Sequence, residues 1–114
     1  MRDAPEIELL WWSGCPSTEE AIELVGGEME RLGLDPGALR LREVRDHADA
    51  ERQGFPGSPT IRVEGGDVVE AGAGPGGLTC RVYRLRDGRV SALPDRADVA
   101  AALESALEGR GGIE

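Results

Sequence analysis

Residues 6–12, E-I-E-L-L-W-W, constrain the fold of this chain more than any other segment. The segment first alternates between charged and apolar residues and then becomes continuously apolar, which is typical of a central strand buried on both faces. Residues 13–16 end the strand. From Ser17 to about Leu32, apolar residues recur at three- and four-residue spacing, which predicts a helix, and Pro16 suits its first position. A buried strand that leads directly into a helix indicates an α/β fold.

The rest of the chain supplies further strands, turns and helices. We predict a strand over 39–45 and a helix over 47–53, which Asp46 caps and Gly54 ends. A strand over 61–64 is followed by a turn over 65–67 and a glycine-rich loop over 71–77. The chain then forms a strand over 78–85, a hairpin return over 89–92, and a helix from Asp95 to about Leu107. Val68 and Val69 continue the chain as an extended stretch.

The predicted order of elements is β-α-β-α-β-β-α. A strand joined through a helix to a second strand implies a parallel pair with a right-handed crossover. The later strands form a hairpin, so the sequence predicts a mixed four-stranded sheet with helices on both faces. At 114 residues the chain is one domain, with flexible tails at 1–5 and 109–114.

The charge of the chain excludes several partner classes. Thirteen basic and 22 acidic residues give a net charge of −9, which repels nucleic-acid backbones and anionic membranes. No segment reaches the roughly 20 apolar residues of a membrane helix, and no basic region followed by an apolar run marks a signal peptide. We therefore expect no nucleic-acid or membrane partner, a cytoplasmic location, and cysteines that are reduced or redox-active.

The chemistry-bearing residue of the first strand–helix junction is Cys15. At a helix start, free N–H groups and the helix dipole favour thiolate over thiol, although Glu19 and Glu20 oppose it. The alternative is an inert, small, buried side chain. His47 is the single histidine, which nearly removes Ser-His-Asp catalysis and weakens any zinc site, so we expect no metal and no cofactor.

Three motifs carry a resemblance to a known family. The segment W-S-G-C-P-S-T at 12–18 resembles the thioredoxin and glutaredoxin superfamily, which carries Gly-Cys-Pro-x-Cys here, with Thr18 in place of the second cysteine. G-S-P-T at 57–60 resembles the segment that precedes the third strand in that superfamily. Together with L-T-C-R-V-Y-R at 78–84, these motifs are similar to a small bacterial thioredoxin-like group, some of whose members are labelled alkylmercury lyase-like. The resemblance covers about residues 6–107.

The resemblance implies a thioredoxin-like fold and a set of site residues. It implies a cis proline at Pro59 beside Cys15, with Ser58 and Thr60 next to it for binding a thiol-bearing partner. Thr18 occupies the place of the resolving cysteine, so an intramolecular disulfide requires Cys80, 65 residues away in sequence. The basic residue with which glutaredoxins hold glutathione is absent, and we expect weak glutathione affinity.

Three functional hypotheses remain open from the sequence. The first is a thiol-redox protein in which Cys15 attacks a disulfide-bearing protein or small molecule and Cys80, or an external thiol, resolves the mixed disulfide. The second is a non-catalytic module that binds a protein or a small ligand in a cleft lined by Trp12, Pro59 and the glycine-rich loop. The third is binding of a soft metal, or binding and lysis of an organomercurial, by Cys15 and Cys80, with Glu19 as the acidic group.

Cys80 and a row of arginines can also be interpreted from their places in the predicted hairpin. Cys80 lies within a predicted strand and is either a core residue or a resolving thiol. The arginine row of the predicted hairpin, on the simplest interpretation, lies on its solvent-exposed face; this row comprises Arg81, Arg84, Arg86 and Arg89. The sequence leaves the oligomeric state open.

Overall fold

The first strand lies in the middle of a mixed four-stranded sheet in the computed structural model, which describes residues 5–69 and 77–111. The secondary-structure elements, in chain order, are β1 (Ile7–Trp11), α1 (Thr18–Arg31), a 3₁₀ turn (Pro36–Ala38), β2 (Arg40–Glu43), α2 (His47–Gln53), β3 (Thr60–Val63), β4 (Gly66–Asp67), β5 (Tyr83–Arg84), β6 (Val90–Ser91) and α3 (Arg96–Gly111). None of the helices in these ranges is long and apolar enough to cross a membrane.

The sheet has the strand order β2-β1-β3-β4. β1 pairs in parallel with β2, as the strand–helix–strand order predicts, and antiparallel with β3, with Leu9 opposite both Leu41 and Ile61. β3 and β4 form a hairpin whose turn residues, Glu64 and Gly65, have φ values of 54° and 84°. Positive φ at both central residues is what a type I′ hairpin turn requires.

Helices cover both faces of the sheet, as the sequence predicts. Ile7 and Leu9 lie on one face and pack in the main core with buried residues of α1 and α3. Leu10 lies on the other face, where it packs against Ala50 of α2 and against Phe55. The division follows from the strand geometry, because successive side chains point to opposite faces. β2 is an outer strand, and its Leu41 remains 53% exposed.

Local capping signals fix both ends of α2 and the C-terminal end of α1. The Asp46 side chain accepts a hydrogen bond from the Asp49 N–H at 2.8 Å, and Gly54 ends α2 in the left-handed conformation, both as predicted. Gly33 ends α1 with a φ of 81°. The prediction for Pro16 is wrong: Thr18 is the first helical residue, so Pro16 lies outside the helix.

The last third of the chain differs most from the sequence prediction. The fourth strand of the sheet is β4, within the predicted turn at 65–67, and not the segment 78–85. Of that segment only β5 is a strand, and it pairs with β6 in a separate ribbon. The reason is that residues 79–81 bond to the segment before β3 and not to a strand of the sheet.

The predicted termini and glycine loop fall partly outside the described residues. In the predicted N-terminal tail, Pro5 is buried, and residues 1–4 lie outside the description. Most of the predicted loop, residues 71–76, also lies outside it. At the other end, α3 is capped by Asp95 as predicted and continues through Gly111, so residues 109–111 are helical where we expected a tail.

Candidate functional site

Cys15 lies in the turn that joins β1 to α1. Its backbone N–H donates to the Trp12 carbonyl at 2.9 Å, and its side chain is only 7% exposed. Its thiol lies 3.5 Å from the Ser58 carbonyl oxygen, to which it donates. Because α1 begins three residues later, at Thr18, the thiol bonds to the Ser58 carbonyl and not to the N–H groups of the first helical turn, where the sequence predicted it.

The segment before β3 forms one wall of the site. The Ser58–Pro59 peptide bond is cis, which confirms the conformation expected at Pro59. Ser58 is fully buried, and its hydroxyl oxygen accepts a hydrogen bond from the Trp12 N–H at 3.0 Å. This bond ties the end of β1 to the segment that precedes β3, so the two motifs identified in the sequence meet at one place.

Residues 79–81 form the opposite wall of the site. The Ser58 N–H donates to the Thr79 carbonyl and the Arg81 N–H donates to the Ser58 carbonyl, both at 2.8 Å. These bonds form a single parallel bridge between Ser58 and Cys80. Cys80 is exposed, so the interpretation of Cys80 as a core residue is wrong.

Cys15 and Cys80 meet at Ser58 although 65 residues separate them in the sequence. The Cys15 thiol donates to the Ser58 carbonyl, and the parallel bridge places Cys80 beside the same residue. Both cysteines are free. Partial loss of hydration raises the pKa of the Cys80 thiol, and the hydrogen bond and charge of Cys15 raise this pKa further. Two neighbouring thiols of one chain can be oxidised to an intramolecular disulfide.

A buried arginine supports the wall that carries Cys80. Arg81 is 8% exposed, and its guanidinium binds both carboxylate oxygens of Asp67, at 2.9 and 3.2 Å. The same guanidinium donates to the Val69 carbonyl at 2.6 Å and lies over the Tyr83 ring, 4.5 Å from its centroid. The prediction that Arg81 lies on the solvent-exposed face is therefore wrong, because its charge is paired inside the structure. The other three arginines of the row are exposed, as predicted: Arg84, Arg86 and Arg89.

Two groups attach this arginine cluster to the cis-proline segment. The Tyr83 hydroxyl is buried and donates to the Pro59 carbonyl at 2.6 Å, and burial raises the pKa of Tyr83 far above its ordinary value. Gly57 has a φ of 140°, and a Cβ there would lie 3.2–3.3 Å from atoms of Arg81. Only glycine combines this backbone conformation with such a close approach.

The three remaining residues of the predicted site, Trp12, Thr60 and Thr18, face the interior of the fold. Trp12 is half-buried against the core on the α2 side, and its ring leaves no room for a side chain at Gly14. The Thr60 hydroxyl is buried and donates to the Gly57 carbonyl at 2.6 Å. The Thr18 hydroxyl oxygen is buried and has no hydrogen-bond partner within the described ranges, so it makes no bond to the thiol pair there.

Sequence reasoning missed Arg81, Asp67 and Tyr83. A signal was present, because Arg81 and Tyr83 are two residues apart and therefore share one side of an extended segment. A prediction that Tyr83 is buried would therefore have predicted the burial of Arg81 as well. No group of three or more His, Cys, Asp or Glu side chains in residues 5–69 and 77–111 could hold a metal ion. Neither Glu19 nor His47 thus completes a three-ligand set with the two thiols.

Comparison of the chain with protein-family models, with curated proteins and with solved structures found no match. The contacts of the thiol pair and its walls therefore provide the basis for a functional assignment.

Proposed function

We propose that this chain is a thioredoxin-like thiol-redox protein that works through a reversible disulfide between Cys15 and Cys80. The position of both free cysteines beside Ser58 is the observation that carries the proposal. Cys15 is the nucleophile that closes the intramolecular disulfide, and Cys80 is the second thiol of the couple. The partner is a protein or small molecule that bears a thiol or a disulfide.

The topology supports a thioredoxin-like arrangement. A parallel β1-α1-β2 unit is followed by the antiparallel pair of β3 and β4, and α3 packs on the same face as α1. A cysteine follows the central strand, and a cis proline precedes β3. These are the features that the motifs at 12–18 and 57–60 led us to expect of this fold.

The surroundings of the thiol pair support exchange chemistry over inert packing. An inert cysteine is enclosed by apolar side chains, whereas Cys15 donates to a backbone carbonyl oxygen at the residue that is bridged to Cys80. The exposed position of Cys80 gives a reagent in solvent a route to the pair. Access and a neighbouring thiol are both requirements for reversible disulfide formation.

A disulfide-reduction assay tests the proposal. Hydroxyethyl disulfide is the substrate, dithiothreitol is the reductant, and the rate with the protein is compared with the rate without it. We expect catalysed turnover in the wild type, loss of it in Cys80→Ser, and a lower rate in Cys15→Ser, where dithiothreitol and not Cys15 must resolve the mixed disulfide at Cys80. Ser13→Ala changes an exposed residue in the same turn and serves as the matched control.

The outcomes of this assay separate the hypotheses. Full turnover by Cys15→Ser would overturn the proposal, since the couple would then not involve Cys15. A wild type that gives no turnover above the background rate would also overturn it and would favour a module that binds without catalysis.

A further inference from the structure

The two thiols of the pair differ sharply in their access to solvent. Cys15 is 7% exposed, and its thiol lies against the carbonyl of Ser58, the residue that is bridged to Cys80. Cys80 is exposed. The rate of thiol–disulfide exchange depends on which sulfur a reagent can reach as well as on thiolate content. A reagent that approaches from solvent therefore meets the sulfur of Cys80 first.

The position of Cys80 beside Ser58 is fixed by the backbone. The Ser58 N–H and carbonyl are both used by residues 79–81, at 2.8 Å each. Arg81 anchors the end of this segment through Asp67 and Val69. These bonds hold Cys80 in place in the folded protein, while Cys15 remains buried beside the same residue.

We infer that Cys80 is the thiol that exchanges with the external partner, and that Cys15 acts on the sulfur of Cys80 alone. The inference rests on the proposed function and reverses the order of the two thiols that the sequence led us to expect. It makes Cys80 the partner-binding residue and Cys15 the internal nucleophile.

The partner class follows from the same hydrogen bonds. A peptide that adds as a strand needs free backbone donors and acceptors. Both backbone groups of Ser58, the residue before the cis proline, are already paired within the chain. The partner is therefore a low-molecular-weight thiol or disulfide that presents its sulfur to Cys80 from the solvent side.

Two partner thiolates reduce the protein disulfide in two exchange steps. In the oxidised protein, a thiolate RS⁻ attacks the Cys80 sulfur, the Cys15–Cys80 bond breaks, and Cys15 leaves as a thiolate. A second RS⁻ then attacks the partner sulfur of the Cys80–S–S–R mixed disulfide, which releases RSSR and the Cys80 thiolate. The protein disulfide gains two electrons and the two partner thiols lose them. In the reverse direction, Cys15 attacks the mixed disulfide at Cys80 and expels RS⁻.

The test compares the two single-cysteine variants with the same probe. Cys15→Ser and Cys80→Ser are each reacted with hydroxyethyl disulfide, and the adduct is followed by mass spectrometry. We expect Cys15 in Cys80→Ser to react about tenfold more slowly than Cys80 in Cys15→Ser, because burial limits access. In concentrated urea the two rates should become similar, which shows that the difference comes from the fold.

A measurement on the wild type keeps the inference testable if a variant fails to fold. Oxidised protein is mixed with limiting 2-mercaptoethanol, quenched with acid and digested with trypsin. Cleavage after Arg31, Arg62 and Arg81 places the two cysteines in different peptides. We expect the hydroxyethyl adduct on the peptide that contains Cys80.

Each outcome bears on one claim. An adduct on Cys15, or a Cys15 that reacts as fast as Cys80 in the folded variants, would overturn the inference and leave the proposed disulfide intact. Failure of the wild type to form an intramolecular disulfide would instead overturn the proposed function. An adduct on Cys80 together with the slower Cys15 rate supports the inference.

Discussion

Replacement of Arg81 by alanine should destabilise the protein more than any other arginine substitution in the ribbon region. Arg81 is 8% exposed and its charge is neutralised by Asp67, whose side chain is 20% exposed. The substitution would leave the Asp67 carboxylate without a counter-ion and the Val69 carbonyl without this donor. Removal of one partner from a buried ion pair costs about 3–5 kcal/mol.

The structure places the expected loss at the lower end of this range. The Asp67 carboxylate keeps a hydrogen bond from the Val69 N–H at 3.1 Å and remains partly hydrated. We therefore expect a loss of about 3 kcal/mol in the free energy of unfolding. With an m-value of about 1.5 kcal/mol per molar urea, the unfolding midpoint should fall by about 2 M.

Urea unfolding, followed by tryptophan fluorescence, measures this shift. Arg84→Ala is the matched control, because Arg84 is exposed and, among the described residues, its guanidinium donates only to the Gly88 carbonyl. We expect this control to change the free energy of unfolding by less than about 0.5 kcal/mol. Arg81→Lys should lie between the two, since an ammonium lacks the planar fork that reaches both Asp67 and Val69. Equal midpoints for Arg81→Ala and Arg84→Ala would refute the reasoning.

Three other predictions follow from single groups. Hydrogen bonds from Arg96 first, and then from Arg31, lower the pKa of Glu28 below 4.5. Its contribution to stability is therefore present above pH 4.5 and lost as pH falls through the folded pKa, so the unfolding free energies of wild type and Glu28→Gln should converge in acid. Gly27→Ala should raise the unfolding free energy by about 0.5–1 kcal/mol, because the added Cβ would meet nothing closer than 3.8 Å. In Cys15→Ala the pKa of Cys80 should fall toward the ordinary thiol value, since the hydrogen bond and charge of Cys15 no longer raise it. Site-resolved alkylation against pH measures this shift, and an unchanged midpoint would contradict the interaction between the two thiols.

The sequence predicted the parts of the fold that depend on neighbouring residues. Asp46 and Gly54 mark the two ends of α2, as predicted. A cap is a contact between residues close together in the sequence, so the local sequence is enough to predict it. The sequence also predicted the end of β1 and the start of α1 to within one or two residues. Gly66 and Asp67 were read as a turn because two residues are too few to show an alternation.

The arrangement of the site could be predicted only in part. The motifs indicated that Cys15 and Pro59 belong together, but the position of Cys80 depends on hydrogen bonds between residues 79–81 and Ser58, which no local pattern records. The burial of Arg81 likewise depends on a carboxylate 14 residues away. A charged residue in an extended segment is ordinarily assigned to solvent, and only the fold reveals the partner.

The redox equilibrium of the wild-type chain tests the central claim most directly. The protein is equilibrated in mixtures of reduced and oxidised dithiothreitol, quenched by alkylation and analysed by peptide mass spectrometry. We expect one disulfide, between Cys15 and Cys80 of the same chain, that follows a two-electron couple with a tenfold change in the oxidised-to-reduced ratio per about 30 mV. Two alkylated cysteines in every mixture, or disulfides only between separate chains, would contradict the claim.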